Sequence, residues 1–300
     1  MTEQKKAYWM LHSAVFLFGF TGILGQLITL EESLLVWYRM GLTAIMMFAY
    51  IKLIGVFKIL PFEELKKIAS VAMLITFHWL TFYGSIKYGS VSVAMICLSS
   101  LALFTALLEP LINKTKLRQE ELIFSVIALA GIVVMFRSLS NQWLGIILGL
   151  ISAVFSALFT IFNKSLIKYY DARLLSFYEI SSGFLMLTIL LPVISVVLPF
   201  DHFVATSSDW LWLLILSLFC TVLAFNLSLS SLRHLTPFTV NLAINLEPVY
   251  GIALAFMIFN EHKMLNFGFY VGSVLIMLSV LAEMYMKRRK TKTIITQGYE

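Results

Sequence analysis

A glutamate followed by a proline, Glu247-Pro248, lies deep inside an apolar run from Pro237 to Phe259. At ~1.5 Å of rise per residue, the carboxyl would sit about 15 Å along a helix, near the middle of a ~30 Å hydrocarbon layer. Proline lacks a backbone donor and frees the carbonyl one turn earlier, here that of Ile244. A carboxylate beside such a carbonyl could receive a proton, a cation or an ammonium group. The competing reading is a structural glutamate bonded to a neighbouring helix. His78 stands at similar depth in another apolar run. Its imidazole could donate to a solute, share a proton with Glu247, or simply bond a backbone carbonyl. Trp79 and Tyr83 follow, sharing a helix face at i,i+4, where they would line an aromatic cavity or pack. Asn241, Asn245 and Asn226, with Asn163, could reach that cavity or serve as polar glue between helices.

Two further charges lie within apolar runs. Arg39 would sit about 9 Å below one face of the membrane and Glu179 about 8 Å above the other. That separation argues against a direct pair and for separate roles as gates near opposite mouths; the alternative is interfacial snorkelling.

These residues need a scaffold, and the composition defines its class. The hydrophobic set makes up 60% of the 300 residues and charged residues 13%, with a mean hydropathy of +0.91. A soluble domain carries about 25% charged residues, so a water-facing catalytic domain is excluded. Ten apolar segments are legible: Tyr8–Leu30, Ser33–Ile54, Lys67–Ile86, Ser90–Ile112, Arg118–Phe136, Leu144–Leu166, Leu174–Val197, Asp209–Leu232, Pro237–Phe259 and Leu265–Met286. Helices are the expected form, because lipid satisfies no backbone groups. The expected fold is therefore an all-α integral membrane protein of ten transmembrane helices around a central cavity. The first run is too long for a signal peptide and shows no small-residue cleavage site, so it reads as a retained span.

Of the 22 Lys and Arg, 18 fall in the N-terminal segment, alternate loops and the basic C-terminal tail. Three fall on the other side, and Arg39 lies within a span. This split places both termini in the cytoplasm and accounts for the net charge of +6 without a nucleic-acid partner; the expected partners are the lipid bilayer and a small-molecule substrate. Cys97 and Cys220 have no CxxC companion, so neither a zinc site nor a disulfide framework is expected. Gly145-xxx-Gly149 and Gly268-xxx-Gly272 permit close helix approach, within the chain or across a homodimer.

The halves resemble each other. Ser13-Ala14-Val15-Phe16 recurs as Ser152-Ala153-Val154-Phe155, Trp37-Tyr38-Arg39 aligns with Phe177-Tyr178-Glu179, and Ser90-Val91-Ser92-Val93 aligns with Pro237-Phe238-Thr239-Val240. The expected division is residues 1–138 and 139–300. Five spans per copy is an odd number, so the second copy enters the membrane from the opposite side. Inverted repeats of this kind are a plan of secondary transporters, with the substrate near the midplane.

Pro237-Phe238-Thr239-Val240, Leu246-Glu247-Pro248 and Asn260-Glu261-His262-Lys263 resemble the span entry, mid-span proline and glutamate turn of the EamA type in the drug/metabolite transporter superfamily. The first repeat departs from the pattern, with Leu101 at the proline position and Asn113-Lys114-Thr115-Lys116 at the turn. The resemblance implies a transporter that exports amino acids or other metabolites. No Walker-type loop is present, so a proton gradient or the substrate's own gradient would supply the energy, with no cofactor and no metal. The intramembrane acids outnumber the bases, which favours amines or amino acids over phosphorylated substrates. The alternatives are an intramembrane enzyme, with Ser99 or Ser100 served by His78, and a receptor or scaffold that moves no solute.

Overall fold

A computed structural model describes residues 2–114, scattered positions between 123 and 137, and residues 140–197, 200, 202–263, 265–279 and 281–282. Among these the regular structure is helical. In chain order the helices are α1 (Glu3–Phe18), α2 (Thr21–Leu27), α3 (Glu32–Leu53), α4 (Phe62–Tyr88), α5 (Val91–Leu98) and α6 (Leu101–Asn113). They continue with α7 (Trp143–Leu166), α8 (Ala172–Val197), α9 (Ser207–Ser217), α10 (Ala224–Leu232), α11 (Pro237–Ile244), α12 (Glu247–Phe259) and α13 (Phe267–Ser279). Joined end to end, α1–α2, α5–α6, α9–α10 and α11–α12 each make one span. With α3, α4, α7 and α8 they give eight helices among the described residues that are long and apolar enough to cross a membrane; α13 is apolar but shorter. The expected count of ten is thus reached only in part. The segment Arg118–Phe136 falls largely outside the described residues, as do Lys116 and the basic tail, and Leu265–Met286 is described as far as residue 282.

Local chemistry sets the helix ends. The hydroxyls of Ser90 and Thr236 accept from the third backbone N–H of α5 and α11, and Pro237 occupies the first turn of α11, where its missing donor costs nothing. Thr206 and Asp209 close a capping box on α9, satisfying two orphan donors reciprocally.

The breaks inside spans have different causes. In α11–α12 the chain turns at Asn245–Leu246, just before Pro248, which cannot return a bond to Ile244. At the α5–α6 break, Ser99–Ser100, there is no proline; Pro110 lies a further ten residues along α6. Instead Ser99 Oγ donates to the Met95 carbonyl at 3.3 Å and Ser100 Oγ to that of Cys97 at 2.6 Å, back-bonding that bends helices. Between α9 and α10, Leu218–Leu223 forms a π-helical turn, a form found mostly as single turns, often at functional sites.

Packing between the two halves is antiparallel. Along α3 and α8, Trp37 bonds Thr188, Gly41 faces Phe184, and Met40 faces Gly183. Helix α5 packs on α12 and α6 on α11, so the first part of one broken span meets the second part of the other. Helix α4 lies along α7, as α1 lies along α10. Equivalent spans thus run in opposite directions. Close approach is made by small residues: a Cβ on Gly145 would stand 2.8 Å from Gly89 Cα, and one on Gly149 would stand 2.6 Å from Cys97 Cβ. The Gly145-xxx-Gly149 pair is therefore used within the chain. Gly131 likewise meets the Gly272 backbone. Leu185, Ile189, Val193 and Val196 of α8 point outward, exposed, while Ser176, Glu179 and Gly183 are buried. The apolar surface is on the outside, as lipid requires, and the polar residues face inward.

Candidate functional site

A cavity of about 70 Å³ lies in the centre of the bundle. That is room for a few waters. Helices α4 and α7 contribute His78, Trp79, Ser156 and Thr160; α2, α3 and α12 bring Thr21, Arg39 and Glu247; Phe159 and Phe225 close one side. Both repeats therefore build it.

Glu247 is 5% exposed, held where the break before Pro248 opens α12. The Thr21 hydroxyl stands 3.1 Å from Glu247 Oε1 and 2.6 Å from the Phe18 carbonyl, so its single proton is shared between them. Thr21 is placed by the break at Gly19–Phe20, where α1 stops and α2 restarts.

Arg39 is the second charge, 2% exposed. Its guanidinium lies 3.9 Å over the Trp79 ring, a cation–π contact that gains strength when desolvated. Nη1 donates to Tyr83 Oη at 2.7 Å and Nε to Thr221 Oγ1 at 2.9 Å, and Nη2 approaches the Cys220 carbonyl at 3.5 Å. Thr221 can accept because its own hydroxyl donates to Leu216, five residues back, across the π-helical turn. Arg39 and Glu247 line the same space and interact electrostatically without a direct ion pair. Arg39 is expected near an outer mouth; its guanidinium lies instead in the cavity lining, over Trp79. Depth counted from the backbone omits the reach of the longest side chain, which here turns inward onto Trp79.

His78 lines the cavity, but its Nδ1–H is engaged by Ser152, with the hydroxyl at 2.8 Å and the carbonyl at 3.0 Å. The Ser152 hydroxyl donates back to the His78 carbonyl at 3.1 Å. This leaves Nε2 as the ring nitrogen for a solute; no hydrogen bond among the described residues joins His78 to Glu247. Ser99 and Ser100 bond their own helix and do not line the cavity, so the geometry does not assemble them with His78 as a nucleophile and base.

The remaining sequence candidates fall elsewhere. Tyr83 is outside the lining, positioned behind Arg39 and packed on Gly25. Trp79 does line the cavity, but one face of its indole is covered by Arg39. Asn241 donates to Thr105 Oγ1 at 2.7 Å, joining α11 to α6 as polar glue. Asn245 is buried at the break, with neither amide atom hydrogen-bonded. Asn226 bonds the Val222 carbonyl at 2.6 Å. Glu179 is fully buried on α8, beyond the cavity. Sequence reasoning missed Thr21, Ser156, Thr160 and Thr221. A signal existed for two of them, because Ser152, Ser156, Thr160 and Asn163 form a polar stripe along one face of α7 at helical spacing.

An all-helical, multi-pass membrane protein whose duplicated halves enclose a small charged cavity is the class these features define. The profile of the EamA-like transporter family matches residues 5–137 and again 143–283. The chain belongs to the EamA-like transporter family, within the drug/metabolite transporter superfamily. A solved crystal structure shares the fold with a TM-score of 0.68 at 14% identity, covering 95% of this chain and 99% of the other. No curated protein matches the chain in sequence.

Proposed function

We propose that this transporter carries a small zwitterionic metabolite, an amino acid or a close relative, by alternating access. The observation that carries the reading is the pair of opposite charges, Arg39 and Glu247, lining one enclosed cavity without pairing directly. A substrate carboxylate would take the guanidinium N–H groups not used by Tyr83 and Thr221. Its ammonium would take Glu247 and Thr21. His78 Nε2 is a further donor or acceptor, and Phe18, Phe82 and Leu98 receive the apolar remainder. A phosphorylated substrate would want several cations, and among the described residues Arg39 is the one Lys or Arg lining this cavity. Movement of the two antiparallel halves would expose the site to each side in turn. The Lys/Arg distribution supports both termini in the cytoplasm; the membrane proposed is the cell (plasma or inner) membrane, and the direction proposed is export.

The test is flux of a panel of neutral amino acids into proteoliposomes. A charge-assisted hydrogen bond is worth about 1.5–3 kcal/mol, so Arg39→Met and Glu247→Gln should each cut flux of the accepted solute roughly 10- to 100-fold. Unchanged flux in either variant, with normal insertion, would overturn the assignment.

A further inference from the structure

The molecule holds a second buried carboxyl, and its surroundings differ from those of Glu247. Glu179 is 0% exposed. The Asn163 amide faces it, yet neither oxygen of Glu179 and neither polar atom of Asn163 closes a well-formed hydrogen bond. The register of α3 on α8, with Trp37 bonding Thr188 and Met40 facing Gly183, brings Glu179 level with Thr43. The Thr43 hydroxyl is fully buried and also unbonded. One turn along α3, Met47 meets the Asn226 amide, whose oxygen is buried and unbonded as well. No charged side chain of α3, α4, α7 or α10 acts on Glu179. Glu247, by contrast, has Arg39.

A carboxylate in such a place, with no cation against it, carries a large uncompensated desolvation cost. The unbonded oxygens of Glu179 and of the Asn163 amide that faces it call for an occupant that is positive. The site also connects to the cavity. Asn163 lies one turn beyond Phe159 and Thr160, and the α7 stripe runs from Ser152 at His78 through Ser156 and Thr160 to Asn163. We propose that Glu179, with Asn163, is a monovalent-cation site, for a proton or for sodium, separate from the substrate cavity and one helical turn beyond it. The coupling role expected for Glu247 then passes to Glu179, and Glu247, balanced by Arg39, is left to the substrate. That division of labour rests on the zwitterion reading, but the cation site does not.

The test therefore uses no substrate. Infrared difference spectra of the purified full-length protein in lipid are recorded across a pH series without sodium, and on adding sodium chloride at fixed pH. One carboxyl band should respond in the wild type, be lost in Glu179→Gln, and persist in Glu247→Gln. A band that follows pH and ignores sodium identifies the proton; one that sodium shifts identifies the metal ion. Asn163→Leu keeps the carboxyl and removes the facing amide, so it should shift the midpoint of the same band, and it serves if Glu179→Gln does not insert. A response unchanged in Glu179→Gln, or in Asn163→Leu where that variant stands in, overturns the proposal, as does a wild type with no responsive carboxyl. Loss of amino-acid flux in Arg39→Met is scored separately, so either reading can fail alone.

Discussion

At one end of the bundle Asp209 accepts hydrogen bonds from Thr29 N at 2.7 Å and Thr29 Oγ1 at 2.8 Å, tying the end of α2 to the start of α9. Glu261 at the same end accepts from Val91 N and Ser92 N, at 3.0 and 2.8 Å, capping α5 from the other repeat. At the opposite end, bonds between the repeats come from tyrosines: Tyr170 Oη to Glu64 at 3.0 Å and Tyr178 Oη to the Lys58 carbonyl at 2.7 Å. The acidic end is thus closed by buried carboxylates on backbone donors, and the basic end by half-exposed hydroxyls. Grooves of about 700 and 240 Å³ indent the basic end, lined by Lys58, Glu64 and Lys67 and by Lys6, Arg173 and Arg233. The sequence departure noted in the first repeat has its counterpart here. Helix α6 ends at the left-handed Lys114 as α12 ends at the left-handed Asn260; α11 carries its own Thr236 cap, whereas α5 is capped by Glu261 as well as by Ser90. Under the alternating-access reading proposed above, this inequality predicts that the acidic mouth is the harder of the two to open.

The largest effect should follow from Asp209→Ala. It removes two charge-assisted bonds across the repeats and the capping partner of Thr206, each such bond being worth about 1.5–3 kcal/mol. The expected loss is roughly 3 kcal/mol, read as a lower unfolding temperature. A cavity thiol introduced as Ser156→Cys, with Cys97 and Cys220 replaced, should label several-fold faster from the Asp209 side. Tyr170→Phe at the other end removes one bond to the Glu64 carboxylate, but it is part-exposed and screened by solvent, so the cost should be no more than ~1 kcal/mol. Equal effects at the two ends would dissolve the contrast.

Much of this plan was legible in the sequence, for a physical reason. Lipid forces the backbone to bond within each span, so length and hydropathy marked Pro237–Phe259 and its central Glu247 before any coordinates. The pairing of the two halves followed from an odd span count. What stayed hidden depended on side-chain direction and helix irregularity. Depth counted from the Cα puts Arg39 near one face, whereas its guanidinium lies over Trp79 in the cavity wall. The π-helical turn at Leu218–Leu223 has no proline or glycine to announce it, so Thr221 as a partner of Arg39 could not be foreseen. The break at Ser99–Ser100 comes from hydroxyls bonding their own helix, chemistry that hydropathy does not register. The α7 stripe of Ser152, Ser156, Thr160 and Asn163 is present in the sequence, but amid so many apolar residues only Asn163 stands out.

Glu261→Gln sharpens the comparison at intermediate scale. The amide keeps an acceptor for Val91 N or Ser92 N but loses the charge that favours a helix N-terminus. A loss of about 1 kcal/mol is expected, with a smaller rise in labelling from the acidic side than Asp209→Ala produces. Glu261→Ala should approach the Asp209 variant. If Glu261→Gln is silent while Glu261→Ala is not, the contact works by shape and bonding and not by charge.

The smallest effect belongs to the basic end, at Asp171. Its carboxylate accepts from Arg173 N, Nε and Nη2, each at 2.9 Å, and these bonds hold it below the usual aspartate range, chiefly through the Arg173 side chain. The pair is about one-third exposed, so solvent screens it and its worth is at most ~1 kcal/mol. The sign follows from the depressed folded-state value. The contribution is fully present above the unfolded-state value near pH 3.9, and it is lost as pH falls through the lower folded value. Asp171→Asn should therefore lower the unfolding temperature slightly at pH 7 and make no difference near pH 2, in detergent where the protein survives both. A deficit that persists at the lower pH would mean that Asp171 acts as a neutral cap on α8, and that the basic end owes no closure to this ion pair.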